Sequence, residues 1–421
     1  MTWLRALALL AALALASEAL AQGAEIAAVK TELTGLPDGK KFSPERANLN
    51  LKLARLELAW GRYFEAEQSA TEAAANYARA RDGKGEAEAY GLRGEARILQ
   101  GRYEQASGDL STALDIVRKA KDASGLAATT WRQGELARAL GDQRTALALY
   151  EEARKGFAVL GDEAGEGKAL FSLGKSRQVS GDFAGAITDY ASGAALLEKG
   201  KDPLQAAYAY LNAGFVARTL RDAKEAEAHF VKSAGLFSET RFSKGEAEAR
   251  LALGDLKRAQ KNDGEAEKEL QAAAALFRAA SVGVGEAMAE ESLGHLYRAS
   301  GDNDRALVSY ETALAFYRRH GTADMTAPVL QSLGDLERWF GRPEKARSYY
   351  IEALRFYQFS GDALGQANVL LGLGLVESGP SPDLALDHFA RSADFYLEAG
   401  MPQASTMAKE AASRLKSDLK R

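Results

Sequence analysis

Cysteine, histidine, paired carboxylates and glycine-rich loops are the usual carriers of chemistry, and this chain is poor in them. It has no cysteine, which removes thiolate nucleophiles, thiolate metal sites and disulfides. Its four histidines, His229, His295, His320 and His388, stand far apart and share no metal-ligand spacing. No HExxH, GxSxG or P-loop pattern occurs. Fragments such as Gly165-Glu166-Gly167 follow no strand-like segment, so they read as linker glycines and not as phosphate cradles. Glutamate pairs are plentiful because glutamate is a helix-surface residue, and none stands out as an acid/base couple. The residues point away from an enzyme and require neither metal nor cofactor.

What does recur is arginine at multiples of one spacing: Arg138, Arg218, Arg258, Arg298 and Arg338. A guanidinium is the side chain best suited to bidentate capture of carboxylates. Trp131, Phe171, Lys175, Tyr208 and Phe215 lie in the same middle stretch, and aromatics are over-represented at binding hot spots. Such a set suits a segment of another protein carrying acidic and apolar side chains.

The spacing is that of an internal repeat. GRYFEAEQSATEA, GRYEQASGDLSTA, GDQRTALALYEEA and GDFAGAITDYASG begin at Gly61, Gly101, Gly141 and Gly181, and related segments follow from Arg221, Lys261, Gly301 and Gly341. A ninth copy, SPDLALDHFARSA, starts at Ser381 with one residue missing. Three columns accompany every turn. Before it stands a glycine: Gly94, Gly134, Gly174, Gly214, Gly254, Gly294, Gly334 and Gly374, with Ala54 in the first copy. Glycine costs about 1 kcal/mol relative to alanine inside a helix, so its repeated use predicts a close backbone crossing. After the turn comes an alanine column from Ala66 to Ala346, which lets a second helix approach the first. Further on, Tyr77, Val117, Phe157, Leu197, Phe237, Phe277, Tyr317 and Tyr357 should plug the space between one repeat and the next.

Between the columns the apolar spacing is that of amphipathic helices. Asp142, Asp182 and Asp302, and in the alternate linkers Asp82, Asp122, Asp162, Asp202 and Asp362, are suited to N-caps. Each repeat is therefore a pair of antiparallel helices. One pair cannot bury its own apolar face, so neighbours must stack in a quasi-one-dimensional array. The expected fold is all-α, a solenoid of about nine hairpins over residues 43–400, preceded by a segment at 22–42 and closed by a polar capping helix at 401–421.

Copies such as LFSLGKSRQVSGDFAGAITDYASGA and VLQSLGDLERWFGRPEKARSYYIEA resemble the tetratricopeptide repeat from about Ser43 to Tyr396. They are longer than the family standard and are similar to the repeats of kinesin light chain, Pins and rapsyn. The resemblance implies a right-handed superhelix that binds proteins or peptides and whose first helices line a concave groove. It would place Trp131, Arg138, Phe171, Lys175, Phe215, Arg218, Arg258, Arg298 and Arg338 on that groove, with Tyr208 beside them. Against a ligand role, Glu135/Arg138, Asp255/Arg258 and Asp335/Arg338 are i, i+3 pairs that neutralise arginines within the scaffold. Both readings stand at this point.

The ends and the composition bound the rest. Arg5, the Leu/Ala run Ala6 to Ala16 and Ala19-Leu20-Ala21 have the form of a cleavable signal peptide over residues 1–21, with Gln22 as the mature start. The run is too short to span a bilayer, so the chain is expected to be periplasmic or secreted. A net charge of −4 argues against nucleic acid as a partner. A protein-binding scaffold is the leading expectation, and a module that senses a small peptide or oligosaccharide is the alternative.

Overall fold

The computed structural model describes residues 24–36 and 43–420. The expected signal peptide, the start at Gln22 and a turn at Pro37-Asp38-Gly39 lie outside them. Helix α1 covers 24–35. Nine hairpins follow, each with a first helix A and a second helix B: α2(Pro44–Ala59)/α3(Tyr63–Ala80), α4(Gly83–Leu99)/α5(Tyr103–Ala120), α6(Ala123–Ala139)/α7(Gln143–Leu160), α8(Glu163–Val179)/α9(Phe183–Lys199), α10(Pro203–Thr219)/α11(Ala223–Glu239), α12(Ser243–Ala259)/α13(Asp263–Ala279), α14(Gly283–Ser300)/α15(Asn303–His320), α16(Ala323–Trp339)/α17(Pro343–Ser360) and α18(Ala363–Glu377)/α19(Pro382–Glu398). Helix α20(Pro402–Asp418) packs on α19. Two compact units divide the chain, one ending at Ala249 and the other beginning at Arg250, within α12.

Helix ends are set by short linkers, most of them two or three residues long. In most of them the last residue but one takes the left-handed conformation that ends a helix, and the last stands at the N-cap of the next. Asp82, Asp142, Asp162, Asp182, Asp202, Asp222, Asp302 and Asp362 each accept a hydrogen bond from the backbone N–H three residues on. Asp122 stands at the same position but makes no side-chain cap. In eight of the nine B-to-A linkers the last residue also donates its own N–H to the carbonyl of the plug residue five back, as Asp82 does to Tyr77 and Asp162 to Phe157, both at 3.0 Å. One linker residue thus closes one helix and opens the next.

The columns explain the packing. The alanines from Ala66 to Ala346 are wholly buried. Backbone of helix B comes close to the glycine column at Gly254, where Leu270 N is 3.2 Å from a Cβ position, and at Gly94, where Ala106 O is 3.5 Å away. Nearest throughout is a side chain from helix B: a Cβ at Gly134 would sit 2.6 Å from the Tyr150 ring, one at Gly334 2.6 Å from Tyr350, and one at Gly254 2.7 Å from Leu270. A second glycine column, Gly85, Gly125, Gly165, Gly245, Gly285 and Gly365, sits in the first turn of the A helices and receives the plug residues Tyr77, Val117, Phe157, Phe237, Phe277 and Tyr357 of the preceding hairpin. At the N-terminal end Ile26 and Val29 of α1 cover Leu53 of α2.

Two stability measurements check this packing by urea unfolding. Gly254→Leu forces a branched side chain into the space of Leu270 and is expected to cost at least about 2 kcal/mol. Lys121 holds a positive φ of 51°, where an L side chain is disfavoured, so Lys121→Gly is expected to gain up to about 1 kcal/mol.

Candidate functional site

In the first unit successive A helices touch one another (α2 with α4, α4 with α6, α6 with α8, α8 with α10), and successive B helices come nowhere as close. The A helices therefore lie on the inner side of this stack, and their unburied positions form one face.

At its N-terminal part the charges are paired. Arg132 is nearly buried and donates from its two terminal nitrogens to Glu88 at 3.0 and 3.1 Å and from Nε to Glu95 at 3.3 Å. Arg55 adds a second cation to Glu88. Burial pushes the Glu88 carboxyl up, but the two arginines outweigh it and hold the group below its ordinary value. Glu95 has a weaker contact with Arg132, and burial leaves its carboxyl raised.

On α6 and α8 a tighter network forms. The Trp131 indole donates to the Ser172 hydroxyl at 3.1 Å, and Ser172 donates to Glu135 Oε1 at 2.7 Å. The same oxygen accepts from the Tyr150 hydroxyl at 2.8 Å, while Oε2 takes Arg138 at 2.7 Å. Glu135 is thus saturated, and Arg138 is neutralised on its own helix as the i, i+3 reading expected. Lys175 is not. Its Nζ stands 4.9 Å from the centroid of Phe171, and among the described residues it forms no ion pair. Burial pulls its ammonium below the usual lysine range, with the charge of Glu135 only partly opposing.

The pattern repeats on α10. The Arg218 guanidinium lies 5.1 Å from the Phe215 ring, which in turn packs edge-on against Phe230 at 5.3 Å. Arg218 is exposed and has no ion pair among the described residues. Tyr208 goes elsewhere: it packs edge-on against Phe237 at 4.9 Å and near Phe242, and burial pushes its hydroxyl up to about 12. The structure therefore joins Trp131 and Arg138 through Glu135 and Ser172, sets Phe171 with Lys175 and Phe215 with Arg218 as two cation and ring pairs, and packs Tyr208 against Phe237 and Phe242.

The remaining arginines lie in the second unit. Arg258 pairs with Asp255 at 3.1 Å. The expected Asp335/Arg338 pair does not form: Asp335 accepts from Arg298 of the preceding repeat at 3.1 Å and from the Tyr350 hydroxyl at 2.7 Å. Arg338 is left exposed beside that hydroxyl. His295 shares a hydrogen bond of 2.7 Å with the Tyr310 hydroxyl, and among the described residues no carboxylate and imidazole cluster could hold a metal.

Arg132 is the residue that sequence reasoning passed over. Its register carries Ser172, Ser292 and Ser332 in other repeats, so a lone arginine there was a detectable departure.

Comparisons with known proteins agree with the architecture. Residues 85–158 and 325–398 match the family model of the tetratricopeptide repeat. No curated protein matches. Among solved structures the chain is similar to the apo form of RapI, at 13% identity over 89% of this chain and 98% of that one, with a TM-score of 0.62. It is also similar to a Signal Transduction ATPase with Numerous Domains protein with a tetratricopeptide repeat sensor from Pyrococcus horikoshii, at 14% identity and a TM-score of 0.63. That match covers 87% of this chain and 55% of the other.

Lys175 supplies a pH test. A lysine whose native value is lowered penalises its charged form in the fold, so the penalty is present at neutral pH and is relieved as pH rises through the lowered native value toward the unfolded one. Lys175→Met is expected to raise the urea midpoint at pH 7 and to flatten the rise of stability over that alkaline window, both read from unfolding curves across pH.

Proposed function

We propose that this chain, built of tetratricopeptide repeats, is an exported scaffold that holds a segment of another protein along the inner face of its A helices. One observation carries the reading. On α8 and α10 two cations, Lys175 and Arg218, stand over aromatic rings without ion-pair partners, whereas the carboxylates Glu88 and Glu135 on the same face are already occupied. Among the described residues the face therefore has unpaired cations beside carboxylates that are already engaged, and it offers apolar surface next to the cations. An acidic side chain on the partner would pair with Lys175 or Arg218 while its apolar neighbours meet Trp131, Phe171 and Phe215. Arg258, Arg298 and Arg338 are the cations that the second unit, taken by itself, offers a partner. The signal-like residues 1–21 support work in the bacterial envelope, in assembly or in signalling.

A sensing role is the second reading. The similar repeats of the Pyrococcus horikoshii protein are described as a sensor, and the aromatic and cation pairs on α8 and α10 are compact enough to hold a small peptide or oligosaccharide. Saturable thermal stabilisation by such a ligand would favour it, since a ligand bound only by the native state raises stability.

Proximity labelling from an exported, tagged copy, followed by binding assays with the captured partner, tests the scaffold. Arg218→Ala is expected to weaken binding about tenfold or more, and Arg138→Ala much less, because Glu135 already neutralises Arg138. Equal and negligible effects of both would remove the inner face from the interaction.

A further inference from the structure

The linker between α15 and α16 breaks the rule that the other B-to-A linkers obey. Elsewhere a left-handed residue ends helix B and the next residue bonds the plug carbonyl. Here Gly321 and Thr322 are both extended, with ψ of 158° and 167°. Gly321 takes the Tyr317 carbonyl itself at 2.8 Å. From α16 that carbonyl receives only the Thr326 hydroxyl, at 3.4 Å. Thr322 makes no side-chain cap, and Met325 stands where six other A helices carry the glycine that receives the plug. Pro328 lies inside α16, so the carbonyl of Asp324 lacks its helical donor. α15 and α16 share little contact, about as little as α5 and α6.

Two charge pairs bridge this weak joint from opposite helices. Arg298 of α14 reaches Asp335 of α16 at 3.1 Å, and Arg318 of α15 grips both oxygens of Glu352 of α17 at 2.6 and 3.0 Å. Their side chains are a quarter to a half exposed, so salt screens them. We propose that the α15–α16 linker is a hinge within the second unit, latched by Arg298–Asp335 and Arg318–Glu352. Bending there changes the spacing of Arg298 and Arg338 on successive A helices without unfolding any helix. An anion that takes Arg298 from Asp335 opens one latch.

The absence of cysteine makes the test direct. Ala275, Ala315 and Arg355 are exposed and occupy one register on α13, α15 and α17. Spin labels on Ala315→Cys with Arg355→Cys span the hinge, and Ala275→Cys with Ala315→Cys span an ordinary joint, in the full chain. Electron–electron distance measurements are expected to give a distribution about twice as wide across the hinge, broadening further as NaCl is raised to about 1 M, where screening acts within a few ångströms. The control pair should not respond. Arg298→Ala with Glu352→Gln should reproduce the broad distribution at low salt, with helicity unchanged by circular dichroism. Equal widths in the two pairs, or a hinge distribution indifferent to both salt and the double substitution, would overturn the proposal.

Discussion

A two-helix hairpin is too thin to hide its own apolar side, and everything else in this protein follows from how that side is covered. The device is a large side chain of helix B laid flat where helix A has no Cβ. Tyr150 on Gly134 and Tyr350 on Gly334 do this within a hairpin; Phe157 on Gly165 and Phe277 on Gly285 do it between hairpins. Both surfaces of each helix pair are thereby engaged, one inward and one toward the next copy. Dispersion at such contacts is short-ranged, which is why glycine is kept at these places despite its cost to the helix.

The same tight stacking sets the electrostatics of the inner face. Tyrosines that press on the glycines send their hydroxyls through to the A-helix surface, where Tyr150 meets Glu135, Tyr310 meets His295 and Tyr350 meets Asp335. Core packing thus satisfies several of the groups that would otherwise recruit a ligand. Where the register holds phenylalanine, as at Phe230 against Phe215, no hydroxyl arrives and the nearby cation stays unmatched. A tyrosine there does not by itself settle the cation, since Lys175 is unpaired in the hairpin of Tyr190, whose hydroxyl bonds Gln178 instead.

Much of this was readable from residue order. The forty-residue register, the capping aspartates and the buried alanines gave helices, hairpins and stacking directly. The partner of the glycine column was less visible, because an internal crossing and a ring laid on the backbone leave the same glycine behind. The second glycine column resembled ordinary linker punctuation. Pairings on the inner face were the least legible: Arg132 with Glu88 and Arg298 with Asp335 join residues on different A helices. Their meeting depends on the rotation from one hairpin to the next, which no periodicity within a helix encodes. Arg138 and Arg258, whose partners are one helical turn away, were readable for the same reason in reverse.

The short linkers have a consequence for the history of such a chain. A segment in which one residue must be left-handed and the next must cap has no slack, so an inserted or deleted amino acid there would rotate every later hairpin out of alignment. Length can change harmlessly only by whole modules of forty, through duplication or loss of a complete hairpin. The copy that is one residue short, with Glu377 held against Arg347 and His388 before α19, stands where only α19 and α20 remain downstream to be displaced.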